Sequence, residues 1–136
     1  MILTEHESLR IASKAENIVL VEKFVDDICS LVKVNEELYG NILVALTEAV
    51  NNAIYHGNQL NPNKNVEVSF SSDKGILSFI VKDEGKGFDY NNLPDPTDPE
   101  NIEKPNGRGV FLMKNLADNV SFEDNGSKVT MDFKVQ

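Results

Sequence analysis

The chain has 136 residues and a mass of 15.1 kDa, the size of one ordinary domain, so we predict a single domain over residues 1–136. Its hydrophobic share of 40% and charged share of 26%, with no apolar run long enough to span a bilayer, predict a cytoplasmic protein without a membrane segment. A net charge of −9 argues against direct nucleic-acid binding, and the single cysteine, Cys29, excludes an internal disulfide.

The first predicted elements are a short strand and a helix. Residues 6–12 can form the strand, which precedes a run of apolar side chains at helical spacing over residues 13–34. Ser13 followed by Glu16 matches a capping box, so we expect the first helix to begin at Ser13.

A second and longer helix follows. Asn35 is placed to cap it, and the apolar periodicity runs over residues 36–56 until Gly57 ends it. This is the longest periodic signal in the chain. It therefore predicts the main helix of the domain.

Two extended segments come next, and a long loop follows them. Residues 66–70 alternate apolar and polar side chains, residues 76–82 form a second run, and residues 72–75 suit a hairpin turn between the two. Residues 85–109 are rich in Pro, Asn and Asp, which disfavour helix and sheet. A loop of this length in a small domain is typically functional, and we predict a lid at about residues 88–106.

The last elements are a short helix over residues 109–118 and a hairpin of residues 120–122 and 128–135 around the turn 124–126. The resulting order is strand, helix, helix, two strands, lid, helix and two strands. It predicts an α+β fold, a two-layer α/β sandwich with a mixed, mainly antiparallel sheet and helices on one face.

Three polar residues of the second helix repeat every four positions, and they are Glu48, Asn52 and His56. On a helix this spacing places them in a stripe beside the apolar face. Such a stripe either meets solvent or lines a pocket. Spacing alone favours the solvated face.

Two glycine-containing segments follow that helix. The first, Asp83 with Gly85 and Gly87, comes directly after an apolar strand, and it forms either a plain turn or a ligand site. The second opens the short helix, where free N–H groups can bind phosphate. Its residues are Gly107, Arg108 and Gly109.

The order of these segments resembles one family. E-A-V-N-N-A-I-Y-H-G, then D-E-G-K-G-F, then N-G-R-G-V-F-L-M are similar to the N box and the two glycine boxes of the GHKL ATPase and kinase superfamily. Three matches in sequence are far more specific than one. The chain most resembles the small bacterial anti-sigma-factor serine kinases, and the family fold, the Bergerat ATP-binding fold, agrees with the predicted order of elements.

The resemblance implies roles for individual residues. Asn52 would ligate Mg²⁺, and Glu48 would act as the general base at the γ-phosphate of ATP. Asp83 would bind the adenine amine. The remaining residues implied to contact ATP are Gly85 and Gly87 at the base, and Lys104, Gly107, Arg108 and Gly109 at the phosphates.

The resemblance also implies a function and partners. The chain would be an anti-sigma factor that phosphorylates an anti-anti-sigma (STAS-type) protein and binds a sigma factor, and it would form a homodimer. The alternative is a nucleotide-gated binding module without phosphotransfer. A two-component histidine kinase is disfavoured, because neither His6 nor His56 lies in a helical dimerisation segment.

The sequence departs from the family at one place. Members of the anti-sigma type often carry an arginine just before the second glycine box, where this chain has Pro105 and Asn106. Lys104 or Arg108 would have to substitute for it. Without such a substitute, ATP binding would persist while phosphotransfer would be lost.

Overall fold

The structure is a computed structural model that describes residues 5–85 and 105–135. None of the helices in these two ranges combines the length and apolarity needed to cross a bilayer. The main elements, in chain order, are β1 (Glu5–Ala12), α1 (Ile18–Val32), α2 (Glu36–Asn52), β2 (Asn65–Asp73), β3 (Ile76–Lys82), α3 (Pro105–Leu116), β4 (Asn119–Glu123) and β5 (Lys128–Lys134).

The five strands form one sheet in the order β1-β2-β3-β5-β4, and all four pairings are antiparallel. Alternate residues of the three central strands are buried, because successive side chains of a strand point to opposite faces. The buried residues are Val66, Val68, Phe70, Leu77, Phe79, Val81, Val129, Met131 and Phe133. The predicted α+β fold is thus confirmed, and the described strands contain no parallel pairing.

The buried face of the sheet packs against the helices in one hydrophobic core. Phe79 lies at its centre, with its ring centroid 5.1 Å from that of Phe70 and 6.0 Å from that of Phe133. Each fully buried phenylalanine stabilises the fold by about 2 kcal/mol through removal of apolar surface from water. The helices contribute Val21, Val25, Ile28, Cys29, Ile42, Ala45, Leu46, Ala49 and Val50.

One of the two predicted helix starts is confirmed and the other is wrong. The Asn35 side chain accepts a hydrogen bond of 2.7 Å from the Leu38 N–H and so caps α2 as expected. The Ser13 hydroxyl instead donates to the Lys64 carbonyl oxygen at 2.7 Å, so it is engaged with the start of β2. A 3-10 turn, Ala15–Asn17, intervenes, and α1 begins at Ile18.

The turn between β2 and β3 has the predicted position. Lys74 and Gly75 have φ angles of 52° and 81°, which is the left-handed pair that a two-residue hairpin requires. In contrast, α3 begins at Pro105, four residues before the predicted start. Proline suits the first turn of a helix because its missing N–H would be unpaired there in any case.

The second helix was expected to continue to residue 56 and end at Gly57, but its α-helical part ends at Asn52. Its helical path continues over Ala53–Gly57 as a π-helix, closed by a hydrogen bond of 2.8 Å from the Asn58 N–H to the Ala53 carbonyl. The wider turn breaks the four-residue spacing after Asn52, and His56 is exposed. π-turns are often found at functional sites.

Candidate functional site

Glu48 and Asn52 lie one turn apart at the end of α2. The Asn52 side-chain nitrogen Nδ2 is buried and has no hydrogen-bond partner within residues 5–85 and 105–135. An unpaired buried amide costs about 1–3 kcal/mol, so its persistence indicates a ligand site. Glu48 is half-buried, and its carboxylate makes no ion pair with the described residues.

The second glycine segment packs against Asn52. A Cβ on Gly109 would lie 3.1 Å from the Asn52 Nδ2 atom and 3.3 Å from its Oδ1 atom, which is tighter than ordinary van der Waals contact. A residue with a side chain at position 109 would therefore displace the Asn52 carboxamide. This contact brings the predicted N box and the second glycine box together in space.

The first glycine segment meets the π-helix. A Cβ on Gly57 would lie 2.3 Å from an Asp83 carboxylate oxygen, and a Cβ on Gly85 would lie 1.9 Å from the Gly57 carbonyl oxygen. A larger residue at Gly57 would displace the Asp83 side chain, and a larger residue at Gly85 would require the backbone to shift. Gly85 thus permits a close contact with the segment of Gly57 within the protein, whereas the sequence predicted a contact with a ligand.

The Asp83 carboxylate is partly buried. Burial raises the pKa of Asp83, while the Gly85 N–H, which donates to Oδ1 at 2.8 Å, and the charge of Lys64 act to lower that pKa. The Asp83 N–H donates to the Ser127 carbonyl at 2.9 Å, which ties the segment to the start of β5. The carboxylate keeps acceptor capacity for a ligand.

Asn52, Gly57 and Asp83 line one cleft between α2, α3 and the sheet, and its volume is about 20 Å³. Its walls are mostly apolar, with Asn52, Asp83 and Ser127 as the main polar groups. The lining suits a flat ring with a polar edge. Because the volume is that of about one water molecule, the cleft must widen to admit a ring. The lining residues are Ala49, Asn52, Ala53, Gly57, Val81, Asp83, Met113, Phe122, Gly126, Ser127 and Val129.

Not every predicted site residue reaches this cleft. Glu48 is absent from its lining, one helical turn beyond it, and so are Gly85 and Gly109. Gly107 and Arg108 belong to the first turn of α3. Gly87, Lys104 and the greater part of the predicted lid at residues 88–106 lie outside the described residues.

Two residues that support the site were missed from the sequence. Ser127 lines the cleft next to Asp83, and Asn58 is 2% exposed behind it. The Asn58 side chain donates to the Ser13 hydroxyl at 2.8 Å and to the Asn65 carbonyl at 3.0 Å, and it accepts from the Glu84 N–H at 2.8 Å. An asparagine after a helix-ending glycine gives no signal of burial, because such positions are usually exposed turns.

The Asn58 network leads to a stability prediction. We expect Asn58→Ala to lower the free energy of unfolding by about 2–3 kcal/mol, because one buried and two part-buried hydrogen bonds are lost at once. Urea denaturation followed by circular dichroism would measure it. The matched control is the exposed Asn63→Ala, for which we expect a change below about 0.5 kcal/mol. Equal losses in the two variants would contradict a special role for Asn58.

The described residues do not form a metal site of their own. Within the described residues no group of three or more His, Cys, Asp and Glu side chains can hold a metal ion. A hard cation there would need oxygens from a phosphate and from water besides the Asn52 amide, which is how magnesium usually binds. The unpaired Asn52 Nδ2 atom is a donor that fits a phosphate oxygen, and the Oδ1 atom of the same amide would hold the metal.

Comparisons with known proteins agree with this picture. The sequence profile described as "Histidine kinase-like ATPase domain" matches residues 11–133. The Serine-protein kinase RsbW of Bacillus cereus (strain AH820) is 25% identical over 139 residues, covering 97% of this chain and 86% of that protein, and the protein of the same name from Bacillus anthracis gives the same values.

A solved structure has the same fold. The RsbU and RsbW domains of Rv1364c from Mycobacterium tuberculosis superpose with a TM-score of 0.71 at 12% sequence identity. The match covers 96% of this chain and 32% of the other, so the chain spans about a third of that protein's length. At this identity the likeness concerns the fold alone.

Proposed function

The chain belongs to the histidine kinase-like ATPase domain family, and from that premise we propose that it is an ATP-dependent protein serine/threonine kinase acting as an anti-sigma factor. It phosphorylates an anti-anti-sigma protein of the STAS type and binds a sigma factor, exchanging the two partners according to nucleotide state. The observation that carries the proposal is the buried, unpartnered Asn52 amide beside Gly109 at the cleft.

In the proposed complex the two ends of the cleft bind different parts of the nucleotide. The apolar walls receive the adenine ring, and the Asp83 carboxylate accepts a hydrogen bond from its exocyclic amine. At the other end the Asn52 amide oxygen holds Mg²⁺, which neutralises charge on the phosphates when it is bound. The N-terminal turn of α3, with Gly107, Arg108 and Gly109, carries N–H groups suited to phosphate, and Gly87 and Lys104 complete the proposed set.

Phosphotransfer depends on Glu48. Its carboxylate lies one helical turn before Asn52 and outside the cleft lining, so it is placed for a hydroxyl that arrives from the partner protein. Glu48 orients that hydroxyl and accepts its proton as the oxygen attacks the γ-phosphate, and the bond from the γ-phosphorus to the bridging oxygen breaks to release ADP. The names of the 25% identical relatives, serine-protein kinases, support serine as the acceptor.

One observation favours the alternative, a nucleotide-gated binding module without phosphotransfer. The segment before the second glycine box holds Pro105 and Asn106 where related kinases often have an arginine, and this segment starts α3. If neither Lys104 nor Arg108 stabilises the transferring phosphoryl group, nucleotide binding would persist without catalysis. In that case ATP selects the protein partner by changing the population of its conformers.

The deciding experiment combines binding and transfer. We expect calorimetry to detect ATP and ADP binding in the presence of Mg²⁺, and incubation with radiolabelled Mg-ATP and a candidate STAS protein to label that protein on serine or threonine. Binding without labelling of any candidate favours the module. The absence of nucleotide binding in the purified chain would overturn both proposals.

A further inference from the structure

Two polar residues of the described chain are buried, and they are bonded to each other. Ser13 is 0% exposed and Asn58 is 2% exposed, and the Asn58 Nδ2 atom donates to the Ser13 hydroxyl. The second N–H of the Asn58 amide donates to the Asn65 carbonyl, and its Oδ1 atom accepts from the Glu84 N–H. An amide bonded at both N–H groups and at its oxygen is held in one orientation.

The backbone on both sides of Asn58 is fixed as well. The Asn58 N–H donates to the Ala53 carbonyl and the Leu60 N–H donates to the Ile54 carbonyl, both at 2.8 Å, so the chain stays attached to the π-helix. Gln59 and Leu60 have φ angles of 53° and 58°, in the left-handed region that residues with a Cβ rarely occupy. Such a backbone persists only where the surrounding contacts determine it.

The segment after β3 depends on Asn58 for one of its three successive N–H groups. The Asp83 N–H donates to the backbone carbonyl of Ser127, and the Gly85 N–H donates to the carboxylate of Asp83 itself. The Glu84 N–H between them donates to the Asn58 Oδ1 atom at 2.8 Å. Among the described residues, Asn58 is thus the side chain from another segment that binds this part of the backbone.

The glycine before Asn58 contacts the same segment from both sides of Glu84. Gly57 leaves no room for a Cβ against the Asp83 carboxylate, and its carbonyl oxygen leaves none for a Cβ on Gly85. These two contacts are van der Waals contacts, which limit the approach of the segments but do not fix an orientation. The hydrogen bond from Glu84 to Asn58 is directional, and it lies between them.

We propose that Asn58 is a positioning residue for recognition of the nucleotide base. Its Oδ1 atom fixes Glu84, and this sets the direction in which the neighbouring Asp83 carboxylate meets the exocyclic amine of adenine. Asn58 is absent from the cleft lining, so it acts through Asp83 and does not touch the nucleotide. This inference rests on the proposed nucleotide-binding function. It adds the residue that gives Asp83 its selectivity.

A pair of nucleotides that differ only at the amine tests the proposal. Purine riboside triphosphate has a hydrogen in place of the exocyclic amine of ATP and is otherwise identical to it. In calorimetry with Mg²⁺ we expect the wild-type chain to bind ATP at least about 10-fold more tightly than this analogue, because the analogue leaves the Asp83 carboxylate without its partner.

The Asn58→Ala chain should lose this preference. We expect the ratio of the two dissociation constants to fall to about threefold or less, with the affinity for the analogue within about twofold of the wild type, since a hydrogen bond weakens steeply when its acceptor is misplaced. A loss of stability alone would not produce this pattern. It would weaken both nucleotides equally or neither of them.

Two variants separate positioning from stability. Ser13→Ala removes the partner of one Asn58 N–H and also the bond from Ser13 to the Lys64 carbonyl, but it leaves the bond to Glu84 in place. It should lower the Tm and keep the preference for ATP. Asn58→Asp keeps an oxygen at the position that accepts from the Glu84 N–H, so it should restore the preference that Asn58→Ala loses.

A measurement on the wild-type chain needs no substitution and serves even if Asn58→Ala fails to fold. At equal saturation ATP should slow hydrogen exchange of the Glu84 amide more than the analogue does, because ATP alone tethers the Asp83 carboxylate. Equal slowing by the two nucleotides would overturn the proposal. So would a folded Asn58→Ala chain that keeps the wild-type preference, or an Asn58→Asp chain that loses it.

The same titrations distinguish failure of this inference from failure of the proposed function. A wild-type chain that prefers ATP, together with an Asn58→Ala chain that prefers it equally, removes the positioning assignment and leaves nucleotide binding intact. A wild-type chain that binds ATP and the analogue equally removes the amine contact and with it the inference. A wild-type chain that binds neither nucleotide overturns the proposed function as well.

Discussion

Replacing Glu48 by glutamine is expected to lower the rate of phosphotransfer to a protein substrate by about 10²–10⁴-fold, the usual contribution of a positioned general base. The amide has nearly the same shape but cannot accept the proton of the attacking hydroxyl. Because Glu48 does not line the cleft, we expect the affinity for Mg-ATP to stay within about twofold of the wild type. Single-turnover labelling and calorimetry would measure the two quantities.

The control for this change is Glu37→Gln, at an exposed position in the first turn of the same helix. It removes the same charge from α2 and should change neither quantity. A Glu48→Gln protein with an unchanged rate would contradict the assignment of the base. A protein that loses nucleotide affinity along with activity would show instead that Glu48 belongs to the binding site.

Replacing Asp83 by asparagine is expected to weaken ATP binding by about 100-fold. The carboxylate is the acceptor proposed for the adenine amine, and an amide NH₂ group turned toward that amine would place donor against donor. The remaining oxygen of asparagine can still accept the hydrogen bond from Gly85, so the local backbone should be kept. Calorimetric titration with ATP and ADP would give the loss, which should be equal for both nucleotides because they share the base.

The same variant should not be less stable than the wild type in the absence of nucleotide. Burial raises the pKa of Asp83 from its ordinary value of 3.8, so ionisation of this group costs more in the folded protein than in the unfolded one. That cost is present above the raised pKa and disappears as the pH falls below 3.8. We therefore expect an equal or higher Tm for Asp83→Asn at neutral pH, and a smaller difference in acid.

An exposed acidic residue supplies the comparison for both measurements. Asp27→Asn on α1 removes one negative charge at a side chain that is 66% exposed, so it should alter neither nucleotide affinity nor the pH dependence of the Tm. If Asp83→Asn binds ATP as tightly as the wild type, the base is recognised elsewhere in the cleft. A marked loss of Tm at neutral pH would instead make Asp83 a structural residue.

The fold was predictable because its signals are local. Alternation in β2 and β3, the glycine at the hairpin turn and the cap at Asn35 each depend on neighbouring residues, and each agrees with the structure. The start of α1 failed for the opposite reason. Ser13 fits a capping box by spacing, but its hydroxyl is used by the Lys64 carbonyl, a residue 51 positions away.

The segments that form the candidate site could be predicted from the sequence, but the contacts between them could not. The family resemblance named Asn52, Asp83 and Gly109; the structure places Asn52 and Asp83 in the lining of one cleft and Gly109 against the Asn52 side chain. It gave no hint that Gly57 and Gly85 are in mutual contact. This contact depends on where the segment after α2 lies relative to the segment after β3. Hydrophobic periodicity predicts the elements themselves but not their relative positions.

The π-helix at the end of α2 makes the length of this helix as important as its composition. A π-turn holds one more residue than the α-turn it replaces, so loss of any one residue between Asn52 and Gly57 would let the segment relax into regular α-helix. Gly57 would then no longer lie against the Asp83 carboxylate, although every other residue of the segment was unchanged. This segment should consequently tolerate a substitution better than a deletion. Loss of a single codon here would disturb the site more than most single substitutions.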